Sequence, residues 1–188
     1  MVIQDSLVLL IIFLAFLALH GWTAYATSVM SNVRRRPLTE RAEAGEPVAQ
    51  RVLDLSDRFA QFFSTMSLLQ WFCRIGMAVA ITLAIGVPLL DGAQAPDASP
   101  LPFALFVLLL IPGTLVVIWL GATLPNVYGI ARADQAAPFV SLAARPIMAA
   151  LGPVVKLTHA LSNWAAHLLG AEGMDKAVTE EEIIALVD

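Results

Sequence analysis

Long apolar runs, separated by short polar segments, set the pattern of the chain. Residues 6–33 contain no Asp, Glu, Lys or Arg, residues 59–90 contain only Arg74, and residues 98–131 contain none. A helix that crosses a bilayer needs about 20 mainly apolar residues. The pattern therefore predicts three spans, at about 6–32, 60–90 and 101–130. A fourth apolar stretch, 138–169, is of another kind. Phe139, Ala143, Ile147, Ala150, Val154, Leu157, Leu161, Trp164 and Leu168 recur every three or four positions, the stripe of an amphipathic helix. Arg145 and Lys156 interrupt it, and Pro146 and Pro153 are expected to break or bend it. An in-plane belt helix, or a belt of short helices, fits this better than a fourth span, which would put the C-terminus outside.

The segment between the first two runs is polar and helical in composition. Leu38, Ala42, Val48, Val52 and Leu55 mark one side, and Gly45-Glu46-Pro47 breaks it in the middle. This predicts a helical hairpin. After residue 170 the chain changes character. Thr179 followed by Glu180, Glu181 and Glu182 reads as a helix start, and residues 171–188 read as a tail that begins either a linker to a following domain or a partner-docking helix. The expected organisation is a membrane domain over 1–170 with that tail attached.

Composition supports the membrane reading. Hydrophobic residues make up 59% of the 188 positions and charged ones 14%, with mean hydropathy +0.77. A soluble domain carries about 25% charged residues. The net charge of -4 leaves no basic face for nucleic acid. One cysteine, Cys73, excludes an intrachain disulfide and a cysteine zinc site. Asp5 stands where a cleaved signal would carry basic residues, and Arg34-Arg35-Arg36 follow the first run, so that run is expected to be retained. Apart from Arg74 within the second span, Lys and Arg are confined to two segments outside the spans. Arg34, Arg35, Arg36, Arg41, Arg51 and Arg58 follow the first span; Arg132, Arg145, Lys156 and Lys176 follow the third. The segment between spans two and three carries only Asp91 and Asp97. The positive-inside rule then gives an outside N-terminus and an inside C-terminus.

Polar groups inside the spans are the candidate chemistry. In the second span Ser64, Ser67, Gln70 and Arg74 form one stripe, which should face a helix, a dimer mate or a cavity. In the first, His20 precedes Thr23, Thr27, Ser28 and Ser31, whose hydroxyls either contact an ion or bond their own helix. In the third, Gly121-Ala122-Thr123-Leu124-Pro125-Asn126 reads as a helix break that frees a carbonyl, and Pro112-Gly113 as a second. No phosphate loop, HExxH or G-x-S-x-G is present, and no enzyme activity is expected.

The order of these features resembles the membrane domain of the CorC/CNNM family, also described as hemolysin-like. RAEAGEPVAQRVLDLSDRF resembles the family's hairpin leading into span two. The stretch from LGATLPNVYG to HALSNWAAHLLG resembles the segment from its G-E-x-x-P-K motif through its belt helix, and VTEEEIIALVD resembles the helix entering its CBS region. The resemblance implies an all-α integral membrane fold with three spans, a cytoplasmic hairpin and a juxtamembrane belt helix. It also implies a homodimer in the plasma membrane, a following CBS-type domain, and Mg²⁺-type divalent cation transport or efflux. The departures fall on the ion site. The G-E-x-x-P-K pattern becomes Gly121, Ala122, Pro125 and Asn126; the family's G-N-x-x-x-N becomes Met66, Ser67 and Trp71; its first-span acid falls at Tyr25 or Thr27. Ser67, Thr123 and Asn126 are then the expected ligands of a degenerate site, with Gly121 and Pro125 shaping it. Such a site would bind Mg²⁺ or another cation weakly, because Mg²⁺ is usually held through one or two carboxylates. The alternative is a non-transporting, dimerising or regulatory membrane module. A plain anchor is argued against by the polar stripe.

Overall fold

The computed structural model describes residues 2–93, 99 and 101–168, and these are almost entirely helical. Helix α1 (Val2–Asn32) is followed by the hairpin α2 (Arg35–Glu43) and α3 (Pro47–Asp57). Helix α4 (Phe59–Ile81) passes through a π-helical turn (Thr82–Gly86) into α5 (Val87–Ala93). Helix α6 (Leu101–Ile118) passes through a second π turn (Trp119–Thr123) into α7 (Leu124–Ala131), and α8 (Ala133–Leu168) follows. The expected tail, 171–188, lies outside the described residues.

Four stretches are long and apolar enough to cross a membrane: Ser6–Asn32, Phe59–Gly92, Leu101–Ala131 and Ala133–Leu168. The first three coincide with the runs read from the sequence. The fourth corrects one expectation. Pro138, Pro146 and Pro153 all lie inside one 36-residue helix, so the segment is not a belt of short helices. Its packed side carries small residues, Ala133, Ala137, Val140, Ser141, Ala144 and Gly152. Phe139, Val154, Leu157, Leu161, Trp164 and Leu168 of the predicted stripe are exposed instead.

The two π turns share a cause. Each ends two residues before a proline, at Gly86 before Pro88 and at Thr123 before Pro125. A proline inside an α-helix lacks the N–H for the i→i−4 bond, and its ring meets the carbonyl four residues back. Widening the turn by one residue relieves this. Val87 N–H accordingly bonds the Thr82 carbonyl, and Leu124 N–H bonds the Trp119 carbonyl, each five residues back. The expected break at 121–126 is thus a π turn that keeps the helix running. Pro112-Gly113 breaks nothing, since α6 continues to Ile118.

Helix α1 is central and packs against α4, α7 and α8. The best-packed part lies at one end of the bundle. Ala26 and Val29 of α1, Leu38 of α2, Val52 of α3, Phe62 and Met66 of α4, and Val140 of α8 share one buried cluster. The hairpin turns at Gly45, whose φ of 84° suits glycine, and Pro47 starts α3 where no helical N–H is lost. Ion pairs ring this end: Arg35–Asp57, Arg58–Asp54 at 3.1 Å, and Arg145–Asp54 at 3.8 Å. All are exposed, and each contributes about 0–1 kcal/mol. At the other extreme, α6 buries none of its residues.

Candidate functional site

The polar contact between spans lies where α1 meets the second π turn and α7. Close approach is set by glycines on that face. A Cβ at Gly121 would sit 2.9 Å from Leu17 Cδ1 and 3.1 Å from His20 Cδ2. One at Gly129 would sit 2.9 Å from the Tyr25 carbonyl oxygen and 3.0 Å from Ser28 Cβ. The Tyr25 carbonyl is backbone, so a side chain at Gly129 would force α1 to shift, whereas the Leu17 methyl facing Gly121 is the end of a side chain that can turn. Small residues at helix interfaces let backbones approach in this way.

Across the contact, Ser28 Oγ donates to Asn126 Oδ1 at 2.7 Å. The other first-span hydroxyls turn back on their own helix. Thr23 donates to the His20 carbonyl, Thr27 to the Thr23 carbonyl and Ser31 to the Thr27 carbonyl. Beside them Tyr25 and Tyr128 stack with centroids 6.0 Å apart. His20 is buried, and its Nδ1 has no hydrogen-bond partner among the described residues.

The predicted site residues are only partly gathered here. Gly121 is buried at the contact, with Pro125 and Asn126 half-buried beside it. Thr123 is exposed. Ser67 is half-buried on α4, and the side chain bonded to Asn126 is Ser28. Of the expected stripe, Ser64 and Gln70 are half-buried, while Arg74 is exposed with its guanidinium 5.1 Å from the Trp71 ring centroid. Of the two positions read for the family's first-span acid, Tyr25 stacks on Tyr128 and Thr27 bonds its own helix. Sequence reasoning did not single out Gly129 or the Ser28–Asn126 pair. The spacing Gly121, Pro125, Gly129 on one helix face was the available signal.

Chemically, the contact offers neutral oxygens. Asn126 Oδ1 keeps a second lone pair while accepting from Ser28. Among the described residues no group of three or more His, Cys, Asp or Glu stands ready for a metal. The donors at hand fit tight Mg²⁺ binding poorly, since that ion demands near-octahedral oxygen ligation and dehydrates reluctantly.

Comparison with known proteins agrees with the layout. The family model described as "CNNM: Cyclin M transmembrane N-terminal domain" matches residues 10–188. No curated protein and no solved structure gave a match. The match covers nearly the whole chain, apolar helices and hairpin included, and the chain belongs to the CNNM family, a membrane ion-transport family.

Proposed function

We propose that the protein passes a divalent cation of the Mg²⁺ type across the membrane, through a site built from neutral oxygens. The observation that carries this reading is the α1–α7 contact. It keeps the glycine and proline that shape the family's motif at 121 and 125, and it sets Ser28 and Asn126 oxygens beside them. A carboxylate-free site holds a cation weakly, so affinity is low and release is easy.

Three spans with the N-terminus outside accompany this reading, supported by the arginines after spans one and three. Helix α8 then lies in the plane of the cytoplasmic interface. Its exposed row of Phe139, Leu157, Leu161 and Trp164 supports that placement. Labelling a cysteine placed by Asp91→Cys, against one placed by Thr39→Cys, tests the orientation; only the former should react from outside. A homodimer in the plasma membrane is supported by the exposed Trp71 and Arg74 and by the unburied α6. A CBS-type domain after 188 completes the proposal.

A second reading, a dimerising or regulatory module that moves no ion, is favoured by one observation. Ala122 and Asn126 stand where the family pattern has an acid and a lysine. Thermal unfolding in detergent separates the two readings, titrated with Mg²⁺, Ca²⁺, Mn²⁺ and Na⁺ at fixed ionic strength. A ligand at 100 times its Kd stabilises by about 2.7 kcal/mol. A saturable shift for one divalent ion, lost in Asn126→Ala, supports transport. No ion-specific shift up to tens of millimolar moves the reading to the module.

A further inference from the structure

A groove of about 660 Å³ runs between α1 and α7. Leu14, Leu17, Gly21 and Tyr25 line one side, and Leu124 and Tyr128 the other. From Leu14 to Tyr25 the groove follows eleven helical steps, roughly 16 Å at the α-helical rise. Its lining is apolar, and it is cut into helices long and apolar enough to cross a membrane. Water finds few polar partners along this mostly apolar lining, whereas a hydrocarbon chain matches both its length and its chemistry.

One end of the groove is not apolar. The Arg132 guanidinium lies 5.0 Å from the ring centroid of Tyr128, a groove residue. A second cavity, of about 310 Å³, is lined by Arg132, Arg34, Asn32, Asp134 and Gln135 among others. The apolar stretches of α1 and α7 end at Asn32 and Ala131, so this cavity sits just past the ends of both. Asp134 is committed to Arg34. It accepts from the Arg34 backbone N–H at 3.1 Å and pairs with its side chain at 3.7 Å. Among the described residues Arg132 has no acidic partner. Two guanidiniums against one carboxylate leave one positive charge uncompensated.

We propose that this groove is a binding site for an anionic phospholipid, with an acyl chain along α1 and α7 and the phosphate against Arg132. Basic pockets between membrane helices, beside an apolar furrow, recognise lipid headgroups by this pairing of charge and burial. Arg132 is held over Tyr128 rather than tied to a carboxylate, so its donors remain available to a phosphate. This site does not depend on the transport reading; it would serve equally in a module that moves no ion.

Trp22 lines the groove and reports its occupant. A chain carrying Trp71→Phe, Trp119→Phe and Trp164→Phe keeps Trp22 as its one tryptophan. It is placed in phosphatidylcholine bilayers containing brominated phosphatidylglycerol or, at equal fraction, brominated phosphatidylcholine. One arginine near a headgroup gives a preference of about fivefold for the anionic lipid in quenching Trp22. Arg132→Gln should bring the ratio to about one, and Lys156→Gln, on α8, should leave it unchanged. Equal quenching by both lipids overturns the proposal. So does a preference that survives Arg132→Gln, or a Trp22 that neither lipid quenches, the result expected if a second copy covers the groove. Native mass spectra of the unsubstituted chain, delipidated and given both lipids equally, need no variant. Preferential retention of phosphatidylglycerol supports the site, and equal retention overturns it.

Discussion

Ser28 and Asn126, 98 positions apart in the chain, are joined by a 2.7 Å hydrogen bond that ties α1 to α7. In lipid such a bond has little competition from water, yet measured interhelical bonds average about 0.6 kcal/mol. Asn126→Ala should therefore cost about 1 kcal/mol in reversible unfolding. In a Ser28→Ala background the cost should shrink by about 0.6 kcal/mol. Strictly additive effects would show that the two side chains do not act as a pair.

The glycine faces give a ranking. A Cβ at Gly76 would overlap the Phe16 ring, at 2.5 Å, more than one at Gly129 overlaps anything. The Phe16 ring is the far end of a side chain and can turn away, whereas the Tyr25 carbonyl facing Gly129 is backbone. Gly129→Ala should thus be the costlier change, at about 1–3 kcal/mol, the usual cost of overpacking. Gly76→Ala should fall below it. Unfolding of the two variants side by side checks the order.

Acid should loosen the hairpin through one carboxylate. Glu46 receives two hydrogen bonds from Arg41, each 2.6 Å. That bonding, with the nearby positive charge, holds its pKa below the ordinary 4.5. A depressed folded-state pKa means the stabilisation is present above 4.5 and is lost as pH falls through the folded value. Arg41 shifts upward, chiefly by the same hydrogen bond, and its share is lost only in strong alkali. Both side chains face solvent, so the effect is small. Unfolding measured from neutral pH down past 4.5 should show an acid limb that Glu46→Gln lacks.

How much of this was legible in the sequence differs element by element. The spans were legible because charge is excluded from them. The hairpin was legible because Gly45 and Pro47 bracket its turn. The packing side of α8 was not. In a soluble protein the large apolar stripe marks the core, but lipid is as apolar as leucine. Here the large residues Leu157, Leu161 and Trp164 are left outside, while Ala137, Ser141 and Ala144 pack inward. Proline rules foretold disruption at Pro125, yet not that a π turn would absorb it. The partner of Asn126 had no local signal, since Ser28 belongs to a row of hydroxyls that otherwise bond their own helix. The family's site residues were placed by resemblance, and Ser67 and Thr123 do not join Asn126 in that hydrogen bond.

The central claim is that a CNNM scaffold with neutral oxygens at its ion site still moves a divalent cation. Mg²⁺ entry into proteoliposomes, followed by an enclosed Mg²⁺-sensitive dye, tests it most directly. The expected result is a slow flux that saturates only in the millimolar range and falls to the protein-free rate in Asn126→Ala. Ala122→Glu, which adds a carboxylate, should lower the half-saturating concentration by about tenfold. That is a modest share of the roughly 4 kcal/mol between unit charges 4 Å apart at an effective dielectric near 20. Flux equal to protein-free liposomes at every Mg²⁺ concentration, in both the unsubstituted chain and Ala122→Glu, would contradict the claim.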